Sequence, residues 1–347
     1  MTDEPTPPRG RIQQLRRLAV AHAMHLGFVA MFVYFAASTT GFASSENLLN
    51  VLNQNFAYLI LGIGMTLVII AGGIDLSVGS LVALTGVVAT SVLVRGGVML
   101  SDSGDVVRLL PAGVGLGPAL AAGLVAALAV GAAVGAVNGW MVTRLGVPPF
   151  IATLAWFMTA RGLAYKLCAA RPIGELPPAF VALGQGRLGP VRLPVIVALG
   201  LAALLHVVLT RTVFGRRVVA VGGNPEAARL SGIAVRRVQL GVYLLNGLFA
   251  ALCGVLLAAR LQAGDPKVGT QPPLELGAIT AAVLGGASLA GGRGSIAGTV
   301  FGAIFMGILD NGLALQGMQY FDQLVVKGLV LLVAVVFDQL KERRGVG

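Results

Sequence analysis

The sequence predicts an all-α membrane protein, a polytopic helical bundle of about ten transmembrane helices with two broken-helix segments. Three observations carry this prediction. Of 347 residues, 56% are hydrophobic and only 11% charged, whereas a soluble domain carries roughly 25% charged residues. Mean hydropathy is +0.87, and the apolar residues come in runs long enough to cross a bilayer, which takes ~20 residues at 1.5 Å rise each. The 49 glycines concentrate inside those runs, where small residues let helices approach closely without a hydrophobic drive.

The apolar runs fall at 18–37, 50–71, 75–94, 114–142, 149–168, 193–210, 238–259, 275–291, 295–316 and 324–338. They divide the chain into a basic tail (1–17), one membrane domain (18–340) holding a long basic loop (211–237), and a short tail (341–347). The first run exceeds the roughly 7–15 residues of a signal-peptide core, so it reads as a retained span. Net charge is +11, which in a soluble chain would raise nucleic-acid binding. Here the basic residues sit at the ends of apolar runs, so they read as topology signals and no nucleic-acid partner is expected. Arg9, Arg11, Arg16 and Arg17 before the first run, Arg211 to Arg237 in the loop, and Lys341, Arg343 and Arg344 at the end place both termini in the cytoplasm. Cys168 and Cys253 lie in apolar runs without ligand spacing and read as small core residues.

Two of the runs are broken. In GMTLVIIAGGIDLSVGSLVALTG, Gly72 and Gly73 interrupt a helix that restarts at Asp75, with Asp75 and Ser77 as N-cap or first-turn residues. A charge there either caps backbone N–H groups or faces an aqueous path, and the two roles are compatible. In ELGAITAAVLGGASLAGGRGSIAGT, Gly285, Gly286, Leu289 and Gly292 match Gly72, Gly73, Leu76 and Gly79 at one offset. Interrupted helices in both halves point to a translocation path.

The basic loop holds a compact helix cassette. Asn224 suits the N-cap, Pro225 the first helical position and Glu226 the positive end, while Arg229 lies toward the negative end and Gly232 terminates the helix. Ala227, Ala228 and Leu230 offer a small apolar face amid positive charge. Such a helix docks against another protein or lies on anionic lipid. No GxxxxGK[ST] sequence is present, and His22, His25 and His206 form no HExxH or GxSxG arrangement. The chain therefore reads as a transport subunit rather than an enzyme, with no cofactor or metal of its own.

On these segments, together with PPFIATLAWFMTARGLAY, RTVFGRRVVAVGGNPEAARLSGI and DNGLALQG, the sequence resembles the ABC permeases of the ribose, xylose, arabinose and galactoside type across roughly residues 45–340. The resemblance implies a type II importer bundle in a bacterial inner membrane. It also implies a second permease copy, two ATPase subunits that bind ATP and Mg, and a periplasmic sugar-binding protein. Asn224 to Gly232 would then be the coupling helix seated in the ATPase. Two positions depart from the pattern: Gly277 stands where an acidic residue is common, and Asp310 where Asn is frequent.

Hydroxyl-rich cargo needs hydrogen-bonding partners in the path, and Asn53, Asn55, Asp75, Ser77, Asn138, Asp310 and Asn311 are the candidates. The same residues also suit helix-to-helix bonds. Two rival readings stay open at this stage. One is an ion-coupled secondary transporter that uses Asp75 or Asp310. The other is an ABC permease for a nucleoside or a branched-chain amino acid, with Arg161 facing a carboxylate.

Overall fold

The computed structural model describes residues 26–99, 106–111, 113–270 and 272–343. The predicted tail 1–17, the first residues of the first span (18–25) and residues 344–347 lie outside the described residues.

Helices dominate: α1 (Leu26–Ser38), α2 (Ser45–Gln54), α3 (Phe56–Ile70), α4 (Val78–Arg95), α5 (Leu116–Arg144), α6 (Pro149–Leu167), α7 (Pro178–Gln185), α8 (Leu193–Arg211), α9 (Val213–Gly223), α10 (Pro225–Leu230), α11 (Val235–Leu261), α12 (Leu274–Leu284), α13 (Ile296–Leu315) and α14 (Tyr320–Arg343). Every predicted run meets a helix. By length and composition, six described helices are able to cross a membrane: α4, α5, α8, α11, α13 and the Tyr320–Phe337 part of α14. A seventh is added if α2 and α3, bent by 50° at Asn55, count as one span. α1 and α12 are shorter apolar helices, and α6 carries Arg161 and Lys166 within its 19 residues.

The chain forms two compact units, one made of the residues up to Leu48 with those from Ile308 onward, the other of Leu49–Gly307. In the first, Phe35 and Phe42 are buried with ring centroids 5.3 Å apart, and Phe32 lies 5.6 Å from Phe42. Gly312 leaves room for the Phe35 ring, since a Cβ there would lie 2.5 Å from it.

The second unit is held by backbone-to-backbone seams. Gly123, Ala127, Gly131, Gly135 and Gly139 recur every fourth residue on the buried stripe of α5. A Cβ on Gly131 would stand 2.5 Å from the Gly247 carbonyl of α11, and one on Gly139 would stand 3.0 Å from Leu240 Cα. Gly86 of α4 meets the Gly254 carbonyl in the same way. A third seam joins α3, α12 and α13, where Gly62 faces Thr299 and the Thr66 and Thr299 hydroxyls share a hydrogen bond of 2.5 Å. Each seam draws polar groups on neighbouring helices within reach of one another.

Three features go beyond the sequence reading. The basic loop contains a whole helix, α9, whose N-cap Thr212 accepts from the Gly215 amide. Two small antiparallel hairpins occur outside the helices: β1 (Gly97–Met99) with β2 (Val106–Arg108), and β3 (Arg187–Leu188) with β4 (Val191–Arg192). The connection from α11 to α12 is also not a surface loop. Gly264 pairs its backbone with Ile173 and lies beside Thr90, whereas Gly269 lies against the backbone of Gly79. From the level of Thr90 to that of Gly79 the connection descends along α4 by about 16 Å at 1.5 Å per helical residue.

Candidate functional site

The first break places a carboxylate inside the protein. Asp75 and Ser77 are both buried, and Asp75 Oδ1 accepts from the Ser77 amide (2.9 Å) and the Ser77 hydroxyl (2.5 Å). Its Oδ2 accepts from Asn246 Nδ2 at 2.8 Å. The Ser77 hydroxyl in turn accepts from Asn138 Nδ2 at 3.0 Å. Ser77 occupies the N-cap position of α4, but its side chain does not cap that helix, because the hydroxyl is spent on Asp75. The knot ties the start of α4 to α5 and α11, and the carboxylate sits where the positive end of a helix favours it. Of the seven candidate path residues, Asp75, Ser77 and Asn138 are thus brought together. Asn246 joins them unforeseen. An amide in the middle of the apolar run VYLLNGLFAAL was the signal available for it.

The other candidates lie elsewhere. Asn53 Oδ1 accepts from the Arg192 amide (2.9 Å), and its carbonyl accepts from Arg260 Nη1 (2.8 Å). Asn55 marks the bend and donates to the Val51 carbonyl at 2.7 Å. Asn311 exchanges reciprocal amide bonds with Asn47, at 2.8 and 3.0 Å. Asp310 forms an ion pair of 2.8 Å with Lys327. Both departures from the family pattern are therefore matched by a partner: Lys327 balances Asp310, and the Tyr58 ring occupies the space that a side chain at Gly277 would fill. Among the described residues, no three His, Cys, Asp or Glu side chains gather as metal ligands would.

The two breaks open with the same backbone turn. The amides of Ala71, Gly72 and Gly73 donate to the carbonyls of Leu67, Ile69 and Val68, and those of Gly285, Gly286 and Ala287 donate to Ala281, Val283 and Ala282 in the same pattern. Gly72 (φ +81°) and Gly286 (φ +87°) hold the left-handed position that ends each helix. The equivalent of Gly72 is therefore Gly286, one residue on from the Gly285 that the letters alone pair with it. The second break is the longer one, running 285–295 against 71–77.

The breaks also meet. The Gly292 amide donates to the Ile70 carbonyl at 2.8 Å. A Cβ on Gly291 would lie 2.6 Å from the Gly222 carbonyl and 3.3 Å from Gly72 Cα. A Cβ on Gly222 would overlap the Ile70 carbonyl. Both breaks thus converge on Gly222 and Gly223, the last residues of α9, and Asn224 follows directly.

α10 is built as its sequence dictates. Asn224 Oδ1 accepts from the Ala227 amide at 2.9 Å and Pro225 occupies the first turn. Arg229 pairs with Glu226 at 2.6 Å. This hydrogen bond, with the charge behind it, holds the Glu226 carboxyl below its ordinary range. Gly232 (φ +79°) closes the helix. Only Ala228 turns inward, while Leu230 is 77% exposed, and Arg216, Arg217, Arg236 and Arg237 are exposed around it. The short helix presents an apolar tip in a basic field, fixed to the junction where the broken helices meet.

Apolar helices, paired breaks and an exposed capped helix at their junction define a polytopic membrane permease. The chain belongs to the family described as "Branched-chain amino acid transport system / permease component", whose model matches residues 47–335. It is 41% identical to the ribose import permease protein RbsC of Bacillus subtilis (strain 168) over 318 residues, 91% of this chain and 92% of that one. It is 41% identical to RbsC of Escherichia coli (strain K12) over 325 residues, covering 90% and 93%. To the xylose transport system permease protein XylH of Escherichia coli (strain K12) it is 34% identical over 97% of this chain and 96% of that one. No solved structure matches it.

Proposed function

We infer that this chain is the membrane-spanning permease subunit of an ABC importer that moves a small sugar, of the pentose or hexose class, into the cytoplasm by alternating access. The carrying observation is the junction of both broken helices with α10: Gly292 to Ile70, and Gly222 beneath both. A push on α10 from an ATPase reaches both breaks through backbone contacts, with no flexible side chain in between. Asn224, Pro225, Glu226, Ala227, Ala228, Arg229, Leu230 and Gly232 act as the coupling helix, within a cytoplasmic loop spanning 211–237. The relatives' names, ribose and xylose permeases, support the cargo class.

On this reading residues 18–340 act as one permease domain of about ten helices of the type II importer kind, in the bacterial inner membrane with both tails cytoplasmic. Its partners are a second permease copy, ATPase subunits that bind ATP and Mg, and a periplasmic sugar-binding protein. Proton relay by the chain alone finds little support, because both oxygens of Asp75 accept from donors and Asp310 is paired. Amino-acid cargo has the family's description in its favour. Against it, Arg161 Nη1 is already committed to the carbonyls of Pro266 and Val268.

Cross-linking provides the test. With Ala227→Cys and a cysteine in the ATPase cleft, a disulfide forms in the assembled importer, and Glu226→Arg abolishes both cross-link and ATP-driven uptake. Uptake that persists in Glu226→Arg would refute the coupling role.

A further inference from the structure

The connection from α11 to α12 carries non-helical backbone deep along α4, from Gly264 beside Thr90 to Gly269 beside Gly79. Irregular backbone at membrane depth persists only where protein buries it or where it lines a water-filled cavity. Gly264, Pro266 and Gly269 are buried, but Lys267 and Thr270 of the same segment are exposed, as suits a segment with one aqueous side. α12, the short helix that follows, begins at this depth.

Two charged side chains meet the segment. Arg161 of α6 donates through Nη1 to the carbonyls of Pro266 (2.9 Å) and Val268 (2.7 Å), which fixes its guanidinium. Glu275, in the first turn of α12, is 7% exposed, and its carboxylate lies against the backbone of Gly79. The two reach the same stretch of chain, since Arg161 holds the carbonyl of Val268 while the next residue, Gly269, lies against Gly79, which the Glu275 carboxylate also touches. Each keeps one buried polar atom with no hydrogen-bond partner, the donor Nη2 of Arg161 and the acceptor Oε2 of Glu275. Leaving a buried charged group short of a hydrogen bond is unfavourable, and a hydroxyl group supplies both missing bonds because it accepts and donates at once.

We propose that Arg161 and Glu275 form a hydroxyl-binding station on the translocation path, in which one hydroxyl of a neutral polyhydroxylated cargo accepts from Arg161 Nη2 and donates to Glu275 Oε2. The inference rests on the sugar-permease reading and adds a location and a chemistry to it. The station selects against anionic cargo through Glu275 and against cationic cargo through Arg161. Neither residue belongs to the knot around Asp75, whose carboxylate oxygens both accept from donors of their own.

The assembled importer in proteoliposomes tests this, with initial uptake of D-ribose and of each of its monodeoxy analogues at saturating binding protein. Glu275→Gln slows ribose uptake about tenfold, the worth of one hydrogen bond to a charged group. One deoxy analogue, already slower in the wild type, suffers no further loss in Glu275→Gln, as in a double-mutant cycle. Arg161→Lys retains more uptake than Arg161→Gln. Variants that slow every analogue by the same factor reveal a packing defect and overturn the station, as does unchanged uptake. If the variants fail to assemble, the wild type decides alone: equal uptake of all the deoxy analogues overturns the station. Wild-type importer that moves none of these sugars refutes the sugar reading itself, whereas failure of the station alone leaves wild-type ribose uptake intact.

Discussion

Replacing Gly222 by Ala isolates the junction on which the coupling account depends. The added methyl would overlap the Ile70 carbonyl and stand 2.6 Å from the Gly292 amide, the two groups whose 2.8 Å hydrogen bond joins the breaks. Forcing one extra carbon into packed backbone costs ~1–3 kcal/mol. Losing the hydrogen bond adds ~0.5–1.5 kcal/mol. The sum is a destabilisation of about 1.5–4.5 kcal/mol. The neighbouring glycine is the control: a Cβ on Gly223 would meet only Gly292 Cα at 4.0 Å, an ordinary contact. Gly223→Ala removes freedom from the unfolded chain and is expected to stabilise by ~0.4–1 kcal/mol. Reversible unfolding by SDS in mixed micelles, followed by helical circular dichroism, measures both variants. ATP-driven uptake is expected to fall in Gly222→Ala and to persist in Gly223→Ala. Equal unfolding midpoints for the two variants would refute the close junction.

Three further outcomes follow from the packing and the paired charges. Gly135→Leu drives a side chain into the Tyr243 carbonyl and Leu244 Cα of α11, so the folded protein is lost from detergent extracts, as size-exclusion chromatography would report. Asp75→Leu strands the Ser77 hydroxyl and the Asn246 amide and costs about 2–5 kcal/mol in the same SDS titration, whereas Asp75→Asn, which keeps an acceptor, costs less. Lys327→Met leaves Asp310 without its ion-pair partner and lowers the unfolding midpoint, and the double variant Lys327→Met with Asp310→Asn recovers it.

Local chemistry was the most legible part of the sequence. The capping of α10 was readable because a cap, a first-turn proline and a terminal glycine act within eight residues of one another, but its apolar face was not: Ala228 turns inward, away from Ala227 and Leu230. The breaks were readable as paired glycines, but their register was not. Gly72 and Gly286 are equivalent because each holds a positive φ, and letters alone cannot distinguish Gly285 from Gly286. The glycine stripe of α5 shows its face through its fourfold spacing, yet nothing in it names α11 as the partner. Contacts between distant positions stayed hidden for the same reason: Asn246 reaches Asp75 across 171 positions. Arg161 stood out as a charge within an apolar run, while Glu275 passed as the opening of a helix. Only the descent of the connection between α11 and α12 brings the two together.

On the proposed function this chain moves sugar only when an ATPase drives it. Proteoliposomes containing the chain alone, and the chain with its ATPase and binding protein, are loaded with ATP or given a proton gradient, and labelled ribose is counted inside. Accumulation is expected only in the complete complex and only with ATP. Accumulation by the chain alone under the proton gradient would contradict it.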